Sequence, residues 1–107
     1  MWVTHLQQNG FTVVDEVIGS DVINAKRRAH NIGVTLAGCH MAEIDGYLVE
    51  GHVPARDIAR MVADKADIAG ISVPGMAQGS PGMTGSGPFR VLAFDDAGQI
   101  TEVYARH

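Results

Sequence analysis

The first apolar residues of the chain recur at helical spacing: Trp2, Val3 and Leu6. This spacing, with Gly10 as a stop signal, predicts a short amphipathic helix over residues 2 to 9. A second helix is predicted to begin at Ser20 or Asp21, whose side chains can accept hydrogen bonds from free backbone amides, and to run to about His30. Two helices are therefore expected in the first third of the chain.

Apolar and β-branched runs predict the strands. Asp45-Gly46 separates two of these runs, and both residues tolerate the positive φ of a tight hairpin turn, which predicts two paired antiparallel strands. The last two runs flank Asp95-Asp96-Ala97-Gly98 and predict a C-terminal β-hairpin. The predicted strands are FTVVDEV (11–17), CHMAEI (39–44), YLVEG (47–51), IAGISV (68–73), FRVLAF (89–94) and ITEVYA (100–105).

A third helix is predicted after the first hairpin. Pro54 suits the first turn of a helix, where its missing N–H costs nothing, and Ile58, Met61 and Val62 form an apolar stripe. The glycine- and proline-rich segment from Pro74 to Pro88 predicts a long loop, which we expect to be more mobile than the first hairpin.

Composition bounds the class of protein. A chain of 107 residues with 46% hydrophobic and 19% charged residues predicts one folded domain over residues 1–107. The net charge is -4 and the one basic cluster, 26–28, has no interleaved aromatic residues, so we expect no nucleic acid partner. No apolar run reaches the ~18 residues of a membrane span, and the first residues carry neither a basic leader nor an apolar stretch.

Cys39-His40 is the first candidate for chemistry. A lone cysteine is commonly a small buried hydrophobe, but an adjacent imidazole can act as a second metal ligand or lower the thiol pKa. Successive strand residues point to opposite faces, so both bind one ion only if the strand begins irregularly there. On a regular strand Met41 shares a face with Cys39. A structural thiol, a metal ligand and a redox thiol therefore all stay open.

Methionines and histidines supply further candidates. Met76 and Met83 lie in the near-repeat PGMAQGSPGM, where they either attach the loop to the core or offer soft thioether ligands. For His5 the structural alternative is that it shares the helix face of Trp2, and for His52 that it caps the third helix or holds the preceding turn. The remaining histidines, His30 and His107, are interpreted as solvated polar residues.

Three spaced motifs, WVTHLQQNGF, CHMAEIDGYLVEGHVPARDI and VPGMAQGSPGM, resemble domain-of-unknown-function family 411. These are small bacterial metal-binding proteins that include copper-resistance proteins of the CopG type. The resemblance implies an α/β, thioredoxin-like fold and binding of a soft metal, Cu(I) above all. It implies Cys39 and His40 as main ligands, with four weaker ones: His5, His52, Met76 and Met83. It also implies an exported or periplasmic location.

The sequence departs from the family pattern at one place. The Cys-x-Cys-Cys motif that the resemblance places before the tryptophan, and the first strand before it, have no counterpart here. We therefore expect a metal-binding protein rather than an enzyme. The alternatives are a thiol-dependent redox protein in its full-length form and a non-catalytic protein-interaction relic. We also expect another strand, from the C-terminal hairpin or from a second copy in a homodimer, to lie between the FTVV strand and CHMAEI, in the position of the missing one.

Overall fold

Three helices and five strands form in the described part of the computed structural model, which covers residues 2–13, 20–29, 32, 41–74 and 88–107. None of the described helices is long and apolar enough to cross a membrane. In chain order the elements are α1 (Trp2–Gln8), α2 (Ser20–Ala29), β1 (Met41–Ile44), β2 (Tyr47–Glu50), α3 (Ala55–Asp64), β3 (Gly70–Ser72), β4 (Arg90–Phe94) and β5 (Ile100–Arg106).

The predicted helices are confirmed within a residue or two, although His30 lies outside the described residues. Residues 11–13 form no strand, and the rest of the predicted strand 11–17 lies outside the described residues. The predicted loop also lies outside them over residues 75–87. The expectations for that strand and for the mobility of the loop therefore stay predictions.

The first hairpin forms as its turn residues predict. Met41 pairs with Glu50 in antiparallel register. Asp45 and Gly46 form the turn with φ of 48° and 85°. Both values lie in the left-handed region that aspartate tolerates and glycine favours, which explains why this turn is legible in the sequence.

The five strands form one mixed sheet in the order β1-β2-β3-β4-β5. β2 and β3 are parallel, while the other neighbouring strands are antiparallel. The predicted C-terminal hairpin is confirmed as β4 and β5. In the turn between these strands, the Asp95 carboxylate accepts hydrogen bonds from the backbone N–H groups of Ala97 and Gln99, both 3.0 Å long. The α/β class is therefore confirmed, whereas the thioredoxin-like type stays a prediction.

The expectation that the C-terminal hairpin fills a position beside β1 is wrong. β5 and β1 lie at opposite edges of the described sheet. The reason is the crossover through α3, which adds β3 on the far side of β2, so that the short connection from β4 to β5 extends the sheet away from β1. A strand contributed by a second copy stays a prediction.

Apolar clusters cover both faces of the sheet. α1 and α3 pack on one face, whose buried residues are Trp2, Leu6, Val49, Val53, Ala55, Ile58, Met61, Ile71, Val73, Val91 and Ala93. The opposite face carries a second cluster of buried residues: Ile32, Leu48, Leu92 and Phe94. Only glycine fits at position 70, since a Cβ there would stand 1.9 Å from the carbonyl oxygen of Leu48 on β2.

α3 joins β2 to β3 and packs its stripe against the first cluster. Pro54 is the N-cap and its carbonyl accepts the backbone N–H groups of Asp57 and Ile58. Of the predicted stripe, Ile58 and Met61 are buried and Val62 is half-buried. The buried stripe therefore holds α3 against the first cluster.

Candidate metal centre

Four strand ends meet at one end of the sheet. Met41 at the start of β1 pairs with Glu50 at the end of β2, and Glu50 pairs in turn with Ser72 at the end of β3. Ser72 pairs with Leu92 in the middle of β4, and the first residue of that strand, Arg90, lies two residues further towards this end. We call this the Glu50 end of the sheet.

The candidate ligands flank these strand ends in the sequence. His52 follows Glu50 by two residues, Cys39 precedes Met41 by two, and Met76 follows Ser72 by four. Cys39, His40, Met76 and Met83 themselves lie outside the described residues.

His52 is buried beneath α1. Its ring stacks on the indole of Trp2, with ring centroids 6.0 Å apart and planes inclined by 7°. The indole N–H of Trp2 donates a 2.7 Å hydrogen bond to the carbonyl of Val53. These contacts fix the first turn of α1 against the chain that leaves the Glu50 end.

His5 contributes the helix cap that the sequence suggested for His52. Its Nε2 accepts a 3.0 Å hydrogen bond from the backbone N–H of Ala55, the first residue of α3. Burial lowers the pKa of His5 below its usual value, which favours the neutral ring that this acceptor role requires. A neutral ring whose Nε2 accepts this bond carries its proton on Nδ1, so His5 would have to give up the cap to offer a nitrogen lone pair to a metal.

The described residues alone do not assemble a metal site. No group of three or more histidine, cysteine, aspartate or glutamate side chains comes together among them in a ligating arrangement. His5 and His52 are the two candidate ligands within the described residues. Both contact α1 or the start of α3: His5 lies on α1 and binds Ala55, and His52 stacks on Trp2 of α1. A complete centre would need the ligands outside the described residues.

A buried ion pair at the Glu50 end was not predicted from the sequence. The Glu50 carboxylate is 0% exposed and accepts hydrogen bonds of 2.6 and 3.2 Å from Nε and Nη2 of Arg27 on α2. The bond to Glu50 raises the pKa of Arg27, so the guanidinium stays charged. Two features of the sequence could have indicated this ion pair: the single acid in the otherwise apolar run YLVE, and the basic residues in the last turn of α2.

His107 was also misinterpreted, since it is not a solvated polar residue. Its side chain is 12% exposed, and its Nε2 lies 2.6 Å from Oδ2 of the buried Asp57. Backbone hydrogen bonds between His107 and Phe89, in both directions, hold it against the sheet. A contact across fifty residues between the start of α3 and the end of the sequence leaves no local signal.

Comparison with known proteins identifies the family. Residues 36–83 match the sequence profile described as "Protein of unknown function, DUF411". Two solved structures, "Copper resistance protein copG" in forms 1 and 2, each match 99% of this chain at 38% identity and a TM-score of 0.86. This chain covers 84% and 85% of those two chains. The protein belongs to the DUF411 family that includes CopG.

The match to DUF411 spans most of the candidate ligands. Residues 36–83 contain Cys39, His40, His52, Met76 and Met83, whereas His5 lies outside them. No curated protein sequence matches the chain at a significant level. The similarity to the CopG structures extends over both ends of the chain, α1 at the start and the C-terminal hairpin at the end.

Proposed function

We propose that this DUF411 protein binds a soft metal ion, Cu(I) above all, and acts in copper handling or resistance rather than as an enzyme. The observation that carries the proposal is the similarity to copper resistance protein CopG, at 38% identity over 99% of the chain. An identity at this level over nearly the whole chain supports a shared role, which likeness of fold alone would not do.

The chemistry of the candidate ligands supports copper. Thiolate and thioether sulfurs favour Cu(I), and imidazole nitrogen suits it also. A structural zinc site takes four nitrogen or sulfur ligands, commonly with several thiolates, and the chain has one cysteine. We therefore expect Cu(I) to bind in preference to Zn(II).

The ends of the strands support a shared centre. The segments that carry Cys39-His40, His52 and Met76 all adjoin the Glu50 end of the sheet. The segment that carries Met83 leads into β4, whose first residues lie at the same end. We propose Cys39 as the main ligand and the others, His5 among them, as weaker ones.

The test is anaerobic competition for Cu(I) against a chromophoric chelator. Cys39→Ser should weaken binding sharply, because a normally protonated hydroxyl replaces the thiolate at nearly constant size. His40→Ala should weaken it less, since adjacent strand residues diverge. His30→Ala is the matched control, because it removes a histidine that is not among the candidates.

Equal Cu(I) affinities of the parent and Cys39→Ser proteins would remove Cys39 from the centre. Zn(II) competing as well as Cu(I) would overturn the metal preference. Met76→Ala and Met83→Ala should each matter less than Cys39→Ser, and the double variant more than either single one.

A redox role is the alternative. Dithiol exchange needs an attacking and a resolving thiol, and this chain has one cysteine, so an intrachain reaction has no second thiol. The alternative therefore belongs to a longer form with further cysteines. Reduction of an insulin disulfide by such a form, and its loss in Cys39→Ser, would favour it over metal handling.

The proposed organisation is a single thioredoxin-like domain over residues 1–107, and a homodimer in which a second copy adds a strand beside β1. The parallel β2-α3-β3 unit and the mixed sheet are compatible with the thioredoxin-like type. Sedimentation equilibrium tests the dimer: a monomer at all concentrations contradicts it.

A further inference from the structure

A cavity of about 400 Å³ lies between α1, the first turn of α3 and the outer ends of the C-terminal hairpin. Its polar wall is formed by His5, Asn9, Arg56 and His107, and its apolar wall includes Pro54 and Phe89. No aspartate or glutamate side chain lines this cavity among the described residues. A protein with a net charge of -4 therefore has a cavity here whose one permanently charged side chain, among the described lining residues, is Arg56.

Arg56 is held at the cavity wall by a chain of side chains. Its Nη2 hydrogen-bonds to Nδ1 of His107, while Nε2 of His107 lies 2.6 Å from Oδ2 of Asp57. A guanidinium can only donate, so Nδ1 of His107 must be the acceptor and Nε2 must carry the proton that is donated to Asp57. The contacts thus require a neutral imidazole in one tautomer.

His107 is itself fixed on three sides. Its ring stacks on Phe89, with centroids 5.0 Å apart and planes inclined by 30°. Its backbone N–H and carbonyl pair with Phe89 at 2.9 and 3.0 Å. Asp57, which is 5% exposed, anchors the far side of the imidazole. Arg56 is therefore positioned before any ligand arrives, which lowers the entropy cost of binding.

The charge of Asp57 does not cancel this cation within the cavity. Asp57 does not line the cavity, and its carboxylate accepts a hydrogen bond from His107 behind the wall. It also lies in the first turn of α3, where the partial positive charge of the helix stabilises a carboxylate. The cavity is left with Arg56, the Asn9 amide and an aromatic face.

We propose that this cavity binds a small organic carboxylate, with Arg56 as the anchoring cation and His107 and Asp57 as positioning residues. Guanidinium matches a carboxylate in plane and charge, and Phe89 with Pro54 would contact the apolar body of the ligand. Arg56, His107 and Asp57 are not candidate copper ligands, whereas His5, which also lines the cavity, is one.

The test uses benzoate as the probe in a ¹H–¹⁵N NMR titration of the metal-free protein at low ionic strength. Saturable shifts centred on residues 55–57 and 89, with affinity in the millimolar range, are expected. Arg56→Gln should weaken binding about tenfold, the typical effect of a charge-assisted pair. Arg56 is exposed, so this variant should fold.

Arg60→Gln is the matched control. Arg60 lies one turn further along α3, donates a 2.7 Å hydrogen bond to the Tyr104 carbonyl and stacks over the Tyr104 ring, outside the cavity lining. Its loss should leave benzoate affinity unchanged. An equal loss of benzoate affinity in both variants would show that only the net charge of the protein matters, and would overturn the site.

Two further ligands define the chemical class. Benzamide, which lacks the charge, should not saturate the cavity, and sulfate, which lacks the apolar body, should bind more weakly than benzoate. Equal affinity for sulfate would make this a general oxyanion site and overturn the carboxylate assignment. Absence of saturable shifts with benzoate would overturn the proposal itself.

The positioning role has its own readout. Ring ¹⁵N shifts of His107 should report the Nε2–H tautomer in the parent, and His107→Gln should both shift the Arg56 side-chain N–H resonance and weaken benzoate. Benzoate affinity unchanged in a folded His107→Gln protein would remove His107 from the site.

Discussion

Two helices of ten residues, α2 and α3, dock on the same sheet in different ways. α3 buries Ala55, Asp57, Ile58 and Met61. In α2, every residue from 21 to 29 is exposed or half-buried. Apolar burial therefore holds α3, and a different interaction must hold α2.

Charged pairs connect α2 to the sheet. Arg27 binds the buried Glu50 at 2.6 Å, and Lys26 lies 3.3 Å from Glu43 on β1. Ile32, just beyond the helix, adds one apolar contact through the second cluster. Burial of apolar surface needs no particular direction, whereas these ion pairs need both partners in place.

The largest expected effect is at the centre of the α3 interface. Met61 is 0% exposed, and Met61→Ala should lower the free energy of unfolding by about 4 kcal/mol, within the range for cavity-forming core substitutions. Urea unfolding followed by circular dichroism measures the change.

Met61→Leu is the control for this prediction. It nearly conserves volume and should cost less than about 1.5 kcal/mol. If Met61→Ala cost no more than Met61→Leu, apolar burial would not be what holds α3, and the contrast with α2 would disappear.

Removal of Arg27 should have the next largest effect. Arg27→Met leaves the buried Glu50 carboxylate without its guanidinium and should cost about 2 kcal/mol. This is below the ~3–5 kcal/mol of a fully buried pair, because the Arg27 side chain is 19% exposed.

The double variant Arg27→Met with Glu50→Leu sharpens this test. Replacing both partners removes the isolated charge, so the double variant should be more stable than Arg27→Met alone. Additive losses would show instead that the two side chains act independently.

The contrast also explains what the sequence predicted well. α3 was predicted because Ile58 and Met61 recur at helical spacing, and the first hairpin because Asp45-Gly46 supplies the positive φ that its turn needs. Such signals are local. The docking of α2 was not predicted, because Arg27 and Glu50 are 23 residues apart in the sequence. Taken alone, each of them is interpreted as a solvated charge.

The candidate centre was predictable as a set of residue types but not as an arrangement. The parallel register of β2 and β3 brings the ends of these two strands, which His52 and Met76 follow in the sequence, to one end of the sheet. Only the fold fixes that register. The sequence suggested that His52 caps α3 and that His5 shares a helix face with Trp2, whereas in the fold His5 caps α3 and His52 contacts Trp2. This difference also arises from tertiary packing. Whether α1 presents His5 to Ala55 depends on its packing, not on its own sequence.

A smaller effect is expected at the cap of α3. His5→Ala removes the acceptor for the Ala55 N–H and should cost about 1 kcal/mol, the usual value for a lost N-terminal cap. His5→Gln is the control, because a side-chain amide oxygen can accept the same hydrogen bond. Equal losses in the two variants would show that packing rather than capping is what His5 contributes.

The cap should also depend on pH. Burial lowers the pKa of His5 in the folded protein, while the unfolded chain keeps a value of about 6.5. The unfolded state therefore takes up the proton first, so this contribution is present above about pH 6.5 and declines as the pH falls below it. Urea unfolding from pH 7.5 to 5 should show a flatter decline for His5→Gln than for the parent.

The smallest effect should be at the outer of the two ion pairs. Lys26 and Glu43 have side chains 45% and 56% exposed, so water screens their attraction and Lys26→Ala should cost less than about 0.5 kcal/mol. That cost should vanish in 0.5 M NaCl, where the Debye length is about 4 Å. Arg28→Ala, which removes the same charge from the same helix, is the control. If Lys26→Ala cost as much as Arg27→Met, charge alone would dock α2. If Lys26→Ala costs little, the burial of Glu50 explains why the Arg27–Glu50 pair, and not the Lys26–Glu43 pair, holds α2 on the sheet.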